Sequence, residues 1–314
     1  MSGRIILLGS TDLTVAVARR LHSSPAAVVG IVSTTEVFPI SYQPAGMYNS
    51  RHVDIEDFAS SIGAAHSLYS DTDGVVDFVK KIDANLLIAC GWHRIVPSRV
   101  RELFAKPCLG LHASILPKYR GGAPLNWAIL NGDKEAGVSI FELSGGVDDG
   151  QIYGQTRFPI LTNDYIGDLV LKSEVSFLEL LDNVIPEILA NQSKPSQQSG
   201  RISYSLQRSP EDGNIDWGHS AREVSKLVRA VSRPYPGAFS VLEEQKIIIW
   251  RVKEVDCEIS GAIGQIAAPK SFEDPIVVAG EGAISILEAQ FEDGSNAIPF
   301  LMKSHNRRFD RSCR

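Results

Sequence analysis

Nothing in the 314-residue chain is set up for disulfides, structural zinc or a membrane. The four cysteines, Cys90, Cys108, Cys257 and Cys313, show no CxxC pair and no zinc-ligand spacing. Cys90 and Cys108 lie in apolar surroundings, where a reduced, buried thiol is expected. No apolar run approaches the ~20 residues that cross a bilayer. The opening MSGRIILLGS has too short an apolar run for a secretory leader and reads directly as a strand. These absences predict a soluble, cytoplasmic protein with no membrane contact. Positive charge is also scarce. Lys and Arg number 31 against 37 Asp and Glu, a net of −6, and no Lys or Arg occurs between Leu21 and Ser50. Such a balance gives no general pull toward polyanions. There is no internal repeat.

What is present is ordinary for a globular protein: 44% hydrophobic and 22% charged residues, with length enough for about two domains. Arg4–Leu8 is a compact apolar run ending in Gly9-Ser10-Thr11-Asp12. From Leu13 to Leu21 the apolar residues follow helical spacing, with Val15, Val17, Ala18 and Leu21 as candidate buried positions. Ala27–Ser33 and Asn85–Cys90 are further β-rich runs, the second following a helical stretch at Gly74–Lys81. Buried runs without alternation, spaced by helices, predict a Rossmann-like, mostly parallel α/β sheet covered on both faces. Ile166–Leu189 is a long helical pattern in which Pro186 is expected to break or kink the helix. The polar stretch Asn191–Gly200 has the composition of a linker. Beyond it, a helix at Ala221–Val231 precedes short β-like runs at Phe239–Val252, Gly264–Ala267, Ile276–Ala279 and Ala283–Ile286. The expected division is therefore 1–200 as an α/β catalytic domain and 201–314 as a smaller β-rich, barrel-like domain.

Residues 110–150 carry the chemistry. His112 ends a strand-like LGLHAS, a Pro/Gly-rich loop (LPKYRGGAP) follows, and then a helix holding Trp127, Ile129 and Leu130. The β-like run Gly137–Leu143 leads into a Gly-rich loop with Asp148 and Asp149. Catalytic residues of open α/β sheets gather where strands end in loops, so His112 and Asp148 are able to meet despite their separation. A carboxylate would fix the imidazole tautomer and favour its protonated form, and the imidazole would handle a proton. From composition and spacing alone the plainer alternatives stay open: a structural histidine, an Asp-Asp-Gly turn and a connecting loop.

The ordered set His112-Ala-Ser114-Ile-Leu116-Pro117-x-Tyr119-Arg120-Gly121-Gly122-Ala123-Pro124-Leu125-Asn126-Trp127, with Asn131-Gly132-Asp133, Gly137 and Val147-Asp148-x-Gly150, closely resembles the signature of the formyltransferase family. Arg208-Ser-Pro210-Glu211-Asp212-Gly213-x-Ile215-Asp216-Trp217, Val228-Arg229-Ala230 and Pro234-Tyr235-Pro236-Gly237-Ala238-Phe239 resemble the opening of the C-terminal domain in its tRNA and amino-sugar branches. The resemblance covers residues 1 to about 250. It implies transfer of a formyl group from 10-formyltetrahydrofolate, a co-substrate, to an amine, with no metal. His112 and Asp148 match the family's catalytic set residue by residue. The family's Asn does not match, because Gly110 stands there. That amide helps hold the formyl oxygen as it becomes an oxyanion, and losing such a donor costs on the order of 10²–10³ in rate. A backbone N–H exposed at Gly110, a substitute side chain (Asn126 or His93), or weak or absent catalysis are the three alternatives.

By the same resemblance the pterin lies against Cys90–Pro97 and Ser144–Asp149, giving Gly91, Trp92, His93, Ile95, Val96, Gly146 and Val147 as cofactor-binding candidates. Core packing is the alternative for Trp92. Gly9, Ser10 and Thr11, at the head of the first helix, are candidates for holding a phosphate or sugar of the acceptor, an ordinary N-cap being the alternative. Arg120 and Asn126 complete the substrate-binding set. The tRNA branch carries a basic loop where Leu21–Ser50 has none, and residues 201–314 hold 15 Lys and Arg against 16 Asp and Glu. The cluster Arg307, Arg308, Arg311 and Arg314 reads as a solvated tail. A nucleotide-linked amino sugar is thus the expected acceptor, ahead of methionyl-tRNA. A non-catalytic folate- or sugar-binding homologue is the third alternative, and a homodimer is left open.

Overall fold

The computed structural model describes residues 3–22, 26–40, 43–268 and 272–310. Met1 and Ser2 of the expected first strand lie outside the described residues, as do Arg311, Cys313 and Arg314. The elements run β1 (Gly3–Leu8), α1 (Asp12–His22), β2 (Ala26–Ser33), β3 (Val37–Ile40), β4 (Gln43–Tyr48), α2 (Glu56–Ser61), β5 (Ala65–Leu68), α3 (Thr72–Lys81), β6 (Leu86–Ala89), α4 (Ser98–Arg101), β7 (Leu109–His112), β8 (Arg120–Gly121), α5 (Pro124–Leu130), β9 (Glu135–Glu142), β10 (Ile152–Pro159), α6 (Ile166–Leu189) and β11 (Tyr204–Ser205). After a 3-10 turn at Pro210–Gly213 come α7 (Ala221–Val231), β12 (Ala238–Leu242), β13 (Gln245–Glu254), β14 (Ile266–Ala267), β15 (Ile276–Val278), β16 (Ala283–Phe291) and α8 (Ile298–Lys303).

The chain forms two compact units. The first holds Met1–Pro124, Glu135–Pro159 and Val170–Leu206; the second holds Leu125–Lys134, Ile160–Leu169 and Gln207–Arg314. In the first unit seven strands lie in the order β10-β9-β7-β6-β1-β2-β5. The run from β7 to β5 is parallel, and β9 and β10 add to it antiparallel. The unalternating apolar sequence of β1 follows from this placement: Ile5, Ile6, Leu7 and Leu8 are all buried, as a central strand covered on both faces requires. Val75, Val76 and Val79 of α3 and Val100 of α4 pack with Ile6, Leu8, Leu87 and Ala89 on one face. Helix α1 buries Leu13, Val17, Ala18 and Leu21, while Val15 is only half-buried.

Pro186 does not break α6, which is helical from Ile166 to Leu189 with the proline inside it. The missing proline N–H removes one helical hydrogen bond, and burial of Val184, Ile185 and Ile188 offsets that loss. The end of the helix is also held, since Lys106 Nζ donates to the Ile188 and Leu189 carbonyls.

The second unit carries an antiparallel sheet in the order β12-β13-β16-β15-β14. The run Phe239–Val252 resolves into a hairpin, with Leu242 paired to Gln245. Glu243 and Glu244 both take positive φ, 51° and 65°, the backbone of a two-residue hairpin turn that Asn-Gly usually makes. Helix α7 opens with a reciprocal capping box between Ser220 and Glu223.

Candidate active site

His112 is the last residue of β7 and is buried. Its Nε2 lies 2.7 Å from the Tyr119 carbonyl oxygen. A carbonyl only accepts, so Nε2 carries the hydrogen. Its Nδ1 faces Asp148 Oδ2 at 3.4 Å. Both ring nitrogens therefore face protein oxygens, a carbonyl on one side and a carboxylate on the other. Asp148 reaches this position from the loop after β9 by adopting φ 48°, a left-handed conformation uncommon for residues with a Cβ.

Three contacts hold Asp148 there. Its Oδ2 accepts from Gly121 N at 2.8 Å. Gln198 Nε2 donates to the Asp148 carbonyl at 2.8 Å and to the Gly150 carbonyl at 2.8 Å. Gln198 Oε1 in turn accepts from Arg120 Nε and Nη2, at 3.1 and 2.7 Å. Tyr119, at φ 58°, is fixed the same way: Ser203 Oγ accepts from its N–H at 2.9 Å, and Ser205 Oγ donates to its carbonyl at 3.3 Å. The short parallel ladder of β8 and β11 brings these serines to the site.

Several predicted substrate groups are spent on the fold. The backbone N–H groups of Gly9 and Thr11 are already engaged. Gly9 N donates to Val32 O, Thr11 N to Thr14 Oγ1, and just beyond them Leu13 N to Asp12 Oδ1. Ser10 and Thr11 are buried, and Arg51 pairs with Asp12 at 2.5 Å. The hydroxyls of Ser10 and Thr11 pair with those of Thr34 and Thr14. Arg120 is buried and turned to Gln198. Asn126 belongs to the second unit, where one N–H of its amide donates to Ala230 O at 2.7 Å. His93 stacks on Phe38 with ring centroids 5.6 Å apart. His93 is exposed, yet desolvation by the nearby protein mass, with the Arg51 charge second, pushes its pKa down.

Gly110 is closed to a side chain. A Cβ there would stand 2.6 and 2.7 Å from Phe141 Cε1 and Cζ and 2.9 Å from Leu143 Cδ2. The backbone-donor alternative gains nothing from open space, because the aromatic ring fills it.

The two candidate cofactor loops are tied to each other. Arg101 Nε donates to Val96 O at 3.2 Å and its Nη1 to Leu143 O at 3.0 Å. Gly91, at φ 67°, allows close approach to Thr11. Ile95 and Val147 are exposed apolar side chains, 67% and 46% accessible. Trp92 is half-buried, packs against the core cluster and stands edge-on to Tyr69, so the packing alternative holds for its ring. Its Nε1 is nevertheless a buried donor without an acceptor among the described residues. Gly146 lies under the Asp149 carboxylate, which accepts from Ser144 Oγ. Beside these loops is a cavity of about 470 Å³ lined by Arg101, Phe104, Cys108, Glu142, Leu143 and Tyr153, among others. None of the predicted cofactor residues lines it. Burial pushes the Cys108 thiol up to about 12, so it stays protonated. Sequence reasoning missed Gln198, Arg101 and Leu143. Gln198 lies in the stretch that composition marks as a linker, and no local signal distinguishes it.

The formyl transferase family profile matches residues 4–183, and that of the formyl transferase C-terminal domain matches 208–299. The chain belongs to the formyl transferase family. Members of this family take their formyl group from 10-formyltetrahydrofolate. This formyl transferase is 32% identical, over 219 residues, to the bifunctional polymyxin resistance protein ArnA of Wigglesworthia glossinidia brevipalpis, across 69% of the chain and 33% of the relative. It thus spans about a third of that relative's length. The N-formyltransferase of Helicobacter canadensis, solved with folinic acid and dTDP-3-aminofucose, superposes with a TM-score of 0.67 at 18% identity, over 90% of this chain and 98% of the other. Methionyl-tRNA formyltransferase from Clostridium thermocellum gives 0.55 at 18% identity, over 82% and 95%. At such identity these two structures speak for the fold alone. Among the described residues no helix is long and apolar enough to cross a membrane, and no cluster of His, Cys, Asp and Glu is arranged to hold a metal.

Proposed function

We propose that this formyl transferase moves the formyl group of 10-formyltetrahydrofolate onto the amine of a small acceptor, a nucleotide-linked amino sugar, with His112 and Asp148 at the reacting centre. The observation that carries the reading is the pairing of buried His112 with half-buried Asp148, whose position Gly121 and Gln198 hold. The surroundings fit the co-substrate. The exposed apolar Ile95 and Val147 and the Trp92 N–H offer apolar faces and a donor to a flat heterocycle. The co-substrate supplies the formyl carbon. The chain's own groups do the rest. As the acceptor nitrogen bonds to that carbon, His112 takes the proton the amine gives up. It returns the proton to the folate N10 as the old C–N bond breaks, leaving an N-formyl amine and tetrahydrofolate. Asp148 stabilises the charged imidazole throughout.

The amino-sugar acceptor is in keeping with the Helicobacter enzyme solved with dTDP-3-aminofucose, whose fold this chain shares. The net charge of −6 and the absence of Lys and Arg from Leu21 to Ser50 favour it over tRNA. A second reading, a folate- or sugar-binding protein without turnover, is favoured by Gly110 alone.

The test is formyl transfer to a panel of UDP-, GDP- and dTDP-linked amino sugars, with initiator methionyl-tRNA alongside and products weighed by mass spectrometry. His112→Ala and Asp148→Asn serve as controls, each expected to lower the rate by about 10²–10⁴. One formyl group gained by a sugar and lost in the controls supports the proposal. Formylation of tRNA alone overturns the acceptor, and folate binding without transfer to anything establishes the second reading.

A further inference from the structure

Gly110 and Phe141 face each other directly across the antiparallel pair β7 and β9. Phe141 is 3% exposed and packs with Leu116, Ile152 and Leu143. Its ring edge sits where the first side-chain atom of residue 110 would be, at 2.6–2.7 Å, closer than real side-chain atoms approach. The ring is buried, so any side chain at residue 110 requires Phe141 to shift within the core. The same ring stands edge-on to the imidazole of His112, with centroids 6.4 Å apart and planes at 85°. Aromatic pairs favour this arrangement, and here it limits how the imidazole turns between Tyr119 O and Asp148.

We infer that Phe141 has taken over the room of the family's missing amide and is a positioning residue for His112. Gly110 and Phe141 act as one unit, which leaves His112 as the side chain of β7 that meets the formyl oxygen. The inference rests on the formyl-transfer reading only for its last clause. The shared space and the ring contact stand without it.

The consequence is strong coupling between the two positions. Gly110→Asn alone forces a polar side chain against a buried ring. Phe141→Ala alone empties the space and frees the imidazole. Together they restore an amide with room to stand. The experiment compares the full-length protein with Gly110→Asn, Phe141→Ala and the double variant. It reads melting temperature, the His112 ring resonances by NMR, and kcat and KM for formyl transfer.

The expected result has three parts. The double variant melts above Gly110→Asn, or is soluble where Gly110→Asn is not. Phe141→Ala shifts the His112 resonances and lowers kcat at least tenfold with KM nearly unchanged. The double variant regains at least tenfold in kcat over Phe141→Ala, the scale on which an oxyanion donor acts. Strictly additive losses in melting temperature would overturn the shared-space inference, and unmoved His112 resonances in Phe141→Ala would overturn the positioning role. A wild-type protein that transfers no formyl group, with melting coupling and shifted resonances intact, would end the catalytic reading and leave the pair standing.

Discussion

Gln198 shows how much of a site can rest on one amide. It accepts from Arg120 and donates to the carbonyls on either side of Asp149, keeping Asp148 in its left-handed conformation. Replacing Gln198 with Ala removes these bonds and leaves the buried Arg120 guanidinium without its acceptor. We expect a loss of about 1–3 kcal/mol in unfolding free energy, read by denaturant titration. A lower kcat should accompany it with little change in the KM for folate, because the carboxylate beside His112 loses its anchor. Unchanged kcat would show that Gly121 suffices to place Asp148. The sequence announces His112 and Asp148 through motif order, one at the end of β7 and the other in the Gly-rich loop after β9. It says nothing of Gln198, because a polar side chain in a polar stretch carries no pattern until the chain folds back on itself.

The elements were largely legible, and the exceptions have physical causes. Strands such as Ala27–Ser33 announce themselves by unbroken apolar sequence, because both faces are buried. The hairpin of β12 and β13 was hidden by its turn, since two glutamates give no turn signal. Pro186 misleads for the opposite reason: a strong local breaker is overruled by burial around it. Helix α6 also carries Glu174, half-buried, whose pKa is raised by burial first and by the Asp12 carboxylate second, with Arg51 opposing. The folded protein therefore holds that proton more tightly than the unfolded chain. Stability falls as pH rises through the ordinary Glu range and on through the raised folded value, and below that range nothing is lost. Glu174→Gln should raise the melting temperature at neutral pH and lose its advantage near pH ~4, about the unperturbed Glu value. An equal gain at both pH values would show that the effect is packing and not charge.

On the scale of the whole molecule, charge and chain path matter most. With a net charge of −6 and a C-terminal portion in which acids match bases, a phosphate backbone gains little from contact. Initiator tRNA should give no mobility shift at ~0.15 M salt, where surface charges are screened beyond about 8 Å. A shift that weakens steeply with added salt would reopen the tRNA branch. Burial makes a second global prediction. Cys90 and Cys108 are buried and their thiols are pushed up to about 12, whereas Cys257 is exposed. An aromatic disulfide reagent should label Cys257 in the native state and reach Cys90 and Cys108 only after unfolding. Peptide mapping that finds either one labelled in the native state would contradict that burial.

The division of the chain into units has a bearing on how such enzymes could be re-engineered or inherited. Leu125–Lys134 and Ile160–Leu169 belong with everything from Gln207 onward, although each is embedded in the sequence of the first unit. A chimera spliced at a single crossover near residue 206 would join two lineages and still carry both embedded segments from the wrong parent. Exchange between relatives should therefore succeed when the three stretches travel as a set, so the heritable module here is discontinuous.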